Sequence, residues 1–144
     1  MPKTLERNKQ KKDDKMIEEN EILLIRKAFN DDRKIIEKTP DEERRIDLKY
    51  YQGGSVYLTE DNEYIDLEIQ NRDYDIEDHL NYIEFAEQLY EKQKKKVNVY
   101  IYCNPKIKIK IEMYNIKSHA DFKIKISQMQ NKSKLNKIRQ KLRR

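Results

Sequence analysis

The spacing of apolar residues divides the chain into stretches of different period. Residues 1 to about 15 alternate Lys, Arg, Asp and Asn with almost nothing to bury, and this composition predicts a solvated arm. From Met16 to Lys38, Ile22, Ile25, Phe29 and Ile36 recur at helical spacing beside Leu24 and Ala28, which predicts one helix. Thr39-Pro40 ends it, because the residue before a proline is pushed out of helical geometry. The period then shortens. Arg45 to Tyr51 and Ser55 to Thr59 read as strands joined through Gly53-Gly54, and Glu60-Asp61-Asn62-Glu63 as a polar turn. Tyr64 to Gln70 alternates strictly, with Ile65, Leu67 and Ile69 on one face and Asp66, Glu68 and Gln70 on the other.

Asp75 has the character of an N-cap, with Asp78 three residues on, and opens a helix predicted from Ile76 to about Lys95. Leu80, Ile83, Phe85, Ala86, Leu89 and Tyr90 form its apolar face. Val97 to Cys103 is apolar and β-branched, as a buried central strand should be. Lys106 to Met113 alternates Lys with Ile and predicts an amphipathic strand; Lys123 to Ile126 predicts an edge strand. The expected fold class is α/β, a mixed central sheet of about five strands flanked by helices. Its expected organisation is an arm at 1–15, a single domain at 16–128 and a basic tail at 129–144.

At 144 residues there is room for one core. No apolar run approaches the length of a membrane span. The first residues carry no apolar segment of the secretory kind, and the lone Cys103 cannot form an internal disulfide. A cytoplasmic location is the expectation. Net charge is +5, from 32 basic and 27 acidic residues, but the charges are unevenly placed. Glu60 to Glu91 is acidic, with Arg72 its one basic residue, whereas Lys132 to Arg144 holds only basic charges. The basic rows are candidate nucleic-acid contacts: Lys106, Lys108 and Lys110 on the predicted strand, and Lys132, Lys134, Lys137, Arg139, Lys141, Arg143 and Arg144 in the tail. A solvated strand edge guarded against aggregation explains the first row equally well.

Two chemistries are excluded by counting. One Cys and two distant His residues make no zinc site, and two glycines make no phosphate-cradling loop. His79 reads as a surface residue in the first turn of its helix. Asp66 and Glu68 are different, since side chains two apart on a strand project together, about 6 to 7 Å from one another. Carboxylates so placed repel unless a cation lies between them, and Mg²⁺ takes such ligands. An exposed strand with charged residues is the plainer reading of the same spacing.

Leu58 to Gln70, ending Asp-Leu-Glu-Ile-Gln, is followed by Glu77-Asp78-His79-Leu80, Tyr82, Leu89-Tyr90, Lys94-Lys95-Lys96-Val97 and Ile101-Tyr102. This succession resembles the PD-(D/E)xK nuclease superfamily, and more narrowly the recombination-promoting nuclease and putative transposase group. In that group a hairpin ends in Glu-x-Gln, a helix with a conspicuous Tyr follows, and then a hydrophobic strand. The resemblance spans roughly residues 53–102 and implies a restriction-endonuclease-like fold. It also implies Mg²⁺-dependent DNA cleavage in a mobile-element or defence setting, with Glu68 as metal ligand and catalytic residue and Gln70 orienting water or phosphate. The family's first metal-binding Asp falls near Ser55, where Gly54-Ser55-Val56 holds no carboxylate. Asp66, taken as the second metal ligand, or Asp61 would have to substitute. The expected partner is DNA, with a homodimer left open and no membrane partner. The alternatives are a catalytically dead nuclease-fold module that binds nucleic acid or a partner protein, and an interaction protein with no nucleic-acid role.

Overall fold

The structure, a computed structural model, describes residues 2–46, 51, 53–111 and 118–129. Its first element is one long helix, α1 (Pro2–Phe29). Residues 2–15 are therefore helical, although from Lys9 onward their side chains stand in solvent. Lys, Gln, Glu and Arg are good helix formers, Pro2 sits where a first-turn proline is tolerated, and no breaker follows until Asn30. The helix stops there rather than at Lys38, because Asn30 adopts a left-handed conformation at φ 54°. The sequence continues as a strand, β1 (Ile35–Lys38), in place of the helical turn expected there.

A four-residue helix, α2 (Asp41–Arg44), follows Pro40. The strand expected at Arg45 to Tyr51 falls largely outside the described residues; Arg45 and Ile46 belong to no strand. Then come β2 (Ser55–Thr59), β3 (Tyr64–Gln70), α3 (Ile76–Gln93), β4 (Val97–Cys103) and β5 (Phe122–Ser127). Asp75 caps α3 through a complete capping box, accepting from the Asp78 amide at 3.1 Å while the Asp78 carboxylate accepts from its own. Lys94, left-handed at φ 55°, closes the other end by donating to the Tyr90 carbonyl.

The five strands make one mixed sheet in the order β1-β2-β3-β4-β5. The two pairings among β1, β2 and β3 are antiparallel, whereas β3–β4 and β4–β5 are parallel, so β3 and β4 form a β-α-β unit through α3. The edge strand expected around Lys123 to Ile126 is β5. Lys106 to Lys110, expected as a strand, instead follows a turn at Asn104 and joins the β-structure through an isolated bridge between Ile109 and Tyr74, with side-chain contacts to Asp73 and Gln128 holding it as well. Glu112 and Met113 lie outside the described residues.

Helices cover both faces. On one, Ile25 and Phe29 of α1 pack on Tyr57, Ile65, Leu67 and Tyr100, with Phe29 stacked on the Tyr100 ring at 4.7 Å. On the other, Tyr82, Phe85, Ala86 and Leu89 of α3 pack on Val56, Tyr64, Val97, Val99, Ile101 and Cys103. Among the described residues no helix is long and apolar enough to cross a membrane. Leu89 is wholly buried at the centre of the second cluster. Leu89→Ala is expected to cost about 2–5 kcal/mol by chemical denaturation, the range for a truncated buried leucine.

Candidate functional site

The three polar residues of β3 lie on the α3 side of the sheet. Asp66 stands between Val56 of β2 and Val99 of β4, both members of the α3 core, and Glu68 and Gln70 follow at alternate positions. The face expected to be wet is thus buried as well: Asp66 is 0% exposed, Glu68 4% and Gln70 3%, and the opposite face, closed at Ile65 and Leu67, opens only at Ile69 near the strand's end, 46% exposed. A central strand between two partners and under helices is covered on both sides over most of its length, whatever its alternation.

Protein groups already hold two of these side chains. Glu68 accepts from the backbone N–H of Gly54 at 2.6 Å and from the Tyr51 hydroxyl. Burial, with the charges of Glu68 and Asp66, pushes the Tyr51 phenol far above its ordinary range, so it remains a donor. Tyr51 also packs edge-on against Tyr82 and Phe85. Gln70 donates to the Arg72 carbonyl at 3.0 Å and to Asp78 at 3.2 Å, and accepts from the Tyr82 hydroxyl. Its amide is committed on both sides. A cleft of about 330 Å³ opens beside it, lined by Tyr51, Gln70, Arg72, Asp78, Asn81 and Tyr82.

Asp66 is the exception, because among the described residues neither of its carboxyl oxygens has a hydrogen-bond partner of good geometry. Burial, reinforced by the neighbouring Glu68, raises its pKa well above the carboxylate range; the Arg44 charge opposes this without prevailing. Arg44 itself donates to the Gly54 carbonyl and lies 5.9 Å from the centre of the Phe85 ring.

The position facing Glu68, just ahead of β2, is decisive. Ser55 pairs with Leu67, which sets Gly54 against Glu68. A Cβ added to Gly54 would lie 2.2 Å from the Leu67 carbonyl oxygen and 3.0 Å from the Glu68 carboxylate, so no side chain fits. Ser55 turns to the other face and donates to Glu21 of α1 at 3.0 Å. Asp61, in the β2–β3 turn, pairs with Arg33 at 3.6 Å and is away from the site. Neither supplies the absent acid. Among the described residues no three His, Cys, Asp or Glu side chains form a group able to hold a metal ion. Mg²⁺ also keeps several waters in an octahedral shell, and a dry, two-carboxylate strand offers it no place. The residues as arranged do not fit that ion.

The remaining sequence candidates separate. Lys106, Lys108 and Lys110 are exposed on the loop after β4, with Lys110 paired to Asp73 at 3.3 Å. Lys132 to Arg144 lies outside the described residues. His79, expected at the surface, is 8% exposed and shares a 2.6 Å hydrogen bond with the Tyr74 hydroxyl; burial lowers its basicity. The sequence alone did not place Tyr51, Gly54 or Arg44 at the site. Gly53-Gly54 read as a turn, and only the strand register reveals that the second glycine makes room for Glu68. No protein-family model, curated protein or solved structure matches this chain.

The Asp66 carboxyl gives a pH prediction. A group whose pKa is raised in the folded state binds its proton more tightly when folded. Its stability contribution is therefore fully present at low pH and is lost as pH climbs from the ordinary carboxylate value through the raised one. Asp66→Asn is expected to raise the melting temperature at pH 7, by a margin that shrinks toward pH 4. A second expectation concerns packing: Gly54→Ala should destabilise the fold by about 1–3 kcal/mol, the usual cost of overpacking, read from urea melts.

Proposed function

We propose that the chain is a nuclease-fold module that binds nucleic acid without cutting it. Support for the restriction-endonuclease-like assignment comes from the succession of elements. A β2–β3 hairpin ends in Glu68-x-Gln70, α3 carries Tyr82 toward Gln70, and the hydrophobic strand β4 follows. The observation that carries the non-cutting reading is the glycine opposite Glu68. The resemblance calls for a metal-binding Asp near Ser55; Ser55 turns to the other face toward Glu21, its neighbour Gly54 has no space for a side chain, and the Gly54 amide is itself bonded to the carboxylate that would otherwise take metal. Exposed Lys106 and Lys108 on the loop after β4, with the basic residues of 132–144, support a phosphate-bearing partner.

A Mg²⁺-dependent DNA endonuclease is the second reading, and one observation favours it. The buried Asp66 side chain has two oxygens without a hydrogen-bond partner among the described residues, an unfavourable state that a bound cation would relieve, but only if Tyr51 and the Gly54 amide first released Glu68.

The two readings part in one assay. Plasmid and single-stranded DNA are incubated with Mg²⁺ or Mn²⁺ and either the unaltered protein or Glu68→Ala, with binding followed in parallel. The module reading expects no metal-dependent cleavage by either protein and salt-sensitive DNA binding by both. Cleavage by the unaltered protein that disappears in Glu68→Ala would establish the endonuclease instead.

A further inference from the structure

Charge is divided between the two faces of the sheet. On the α3 face the exposed helix surface carries Glu77, Glu84 and Glu91, with Glu87 half-buried beside them. Asp66 and Glu68 lie beneath. A phosphate backbone approaching this side meets like charge.

The other face is basic along one line. At 3.6 residues per turn, the orientation of α1 follows from its anchored residues. Glu21 points to β1 and β2, contacting Ser55 at 3.0 Å, Tyr57 at 3.1 Å and Lys38 at 3.9 Å. Phe29, about 80° further round the helix, stacks on Tyr100 of β4. Arg26, Lys15 and Lys12 come next, at about 120° to 180°, on the side of α1 turned away from β1 and β2, with Lys15 and Lys12 about 16 to 21 Å before Arg26 along the helix axis; all three are exposed. There β5 presents Lys123 and Lys125 on the same face as Tyr100, opposite Asn98 and Tyr100 in register, with the Lys125 ammonium 5.8 Å from the Tyr100 ring. Both lysines line a 470 Å³ cleft at the end of α1. Glu19 is the one acid within the stripe, while Asp31, Asp32 and Glu60 also line that cleft, Asp31 being paired with Arg33. No ion pair within hydrogen-bonding reach neutralises Lys12, Lys15, Arg26, Lys123 or Lys125 among the described residues. From Lys9 to Ile17 the side chains of α1 are exposed, and a helix with little tertiary packing is marginal in water.

We infer that the nucleic-acid backbone is bound on the α1–β5 face, by Lys12, Lys15 and Arg26 of α1 together with Lys123 and Lys125 of β5, across the sheet from the Asp66–Glu68 pair. This rests on the nucleic-acid reading above and gives it a location. The phosphates lie along the α1 flank, and the sheet separates them from the only buried acids of the fold's central strand.

The test uses the full chain and a short fluorescent DNA duplex, with anisotropy measured across a salt series. Three charge-reversed proteins are compared: Lys12→Glu with Lys15→Glu, Lys123→Glu with Lys125→Glu, and Lys106→Glu with Lys108→Glu. All six positions are exposed, and thermal melts verify that each variant is folded. The expected result is that each of the first two pairs lowers affinity at least about tenfold and flattens the salt dependence, by about one unit of slope for every phosphate that is no longer neutralised, while the third has a smaller effect. Affinity that falls only in the Lys106/Lys108 protein would overturn the location while leaving nucleic-acid binding standing. No duplex binding by the unaltered protein at low salt would overturn both.

Discussion

The fold is organised around a strand that turns its charged side inward. β3 has a strand on each side and a helix over each face, so its three polar residues are almost wholly buried, with only the Gln70 end bordering a cleft, and depend on protein partners. Buried polar groups of this kind are strongly disfavoured unless paired. Much of the surrounding architecture answers that demand. Gly54 places an amide against Glu68, Tyr51 lies over it with a hydroxyl, and Asp78 both caps α3 and receives the Gln70 amide. The start of α3, the β2 register and the approach of Tyr82 are all tied to these three side chains.

The same strand shows where the sequence was readable. The bounds of β2, β3 and β4, the Asp75–Asp78 cap and the alternation of β3 are all local properties of short segments, and they were legible. That the polar side of β3 would be covered as well as the apolar one was not, because alternation says only that two faces differ, and the neighbouring strands and α3 decide what is covered. The missed start of β1 has a different cause. Ile35 and Ile36 fit a continued helical period, and the stop depends on the backbone angle at Asn30. Residues 2–15 lacked an apolar stripe, yet without a breaker their intrinsic propensity carries the helix through. The Lys-Ile alternation after Pro105 has the pattern of a strand but no free sheet position beside it, since β5 occupies the edge next to β4. As for the site, Glu68 and Gln70 were visible as a motif, whereas its character was not. Saturation by Tyr51 and Gly54 is a long-range matter of register.

Charge partition and carboxylate burial reinforce one another. A helix rich in Glu above Asp66 and Glu68 deepens the negative potential on that side of the sheet. The net positive charge of the chain comes from the basic residues of 132–144, outside the described residues, so what distinguishes the α1 side is a local line of cations and not the overall charge. A polyanion bound as proposed would be turned by that difference toward the face without the acids.

Gly54 also limits what this position can become. The backbone ahead of β2 is closed against Leu67 and Glu68, and no volume is left for a side chain. Placing an acid there would need the strand to retreat and the Glu68 contact to be given up at the same time, two changes neither of which is favourable alone. Close approach of the two strands therefore works as a ratchet: substitutions can adjust the outer surfaces freely while the position opposite Glu68 stays closed.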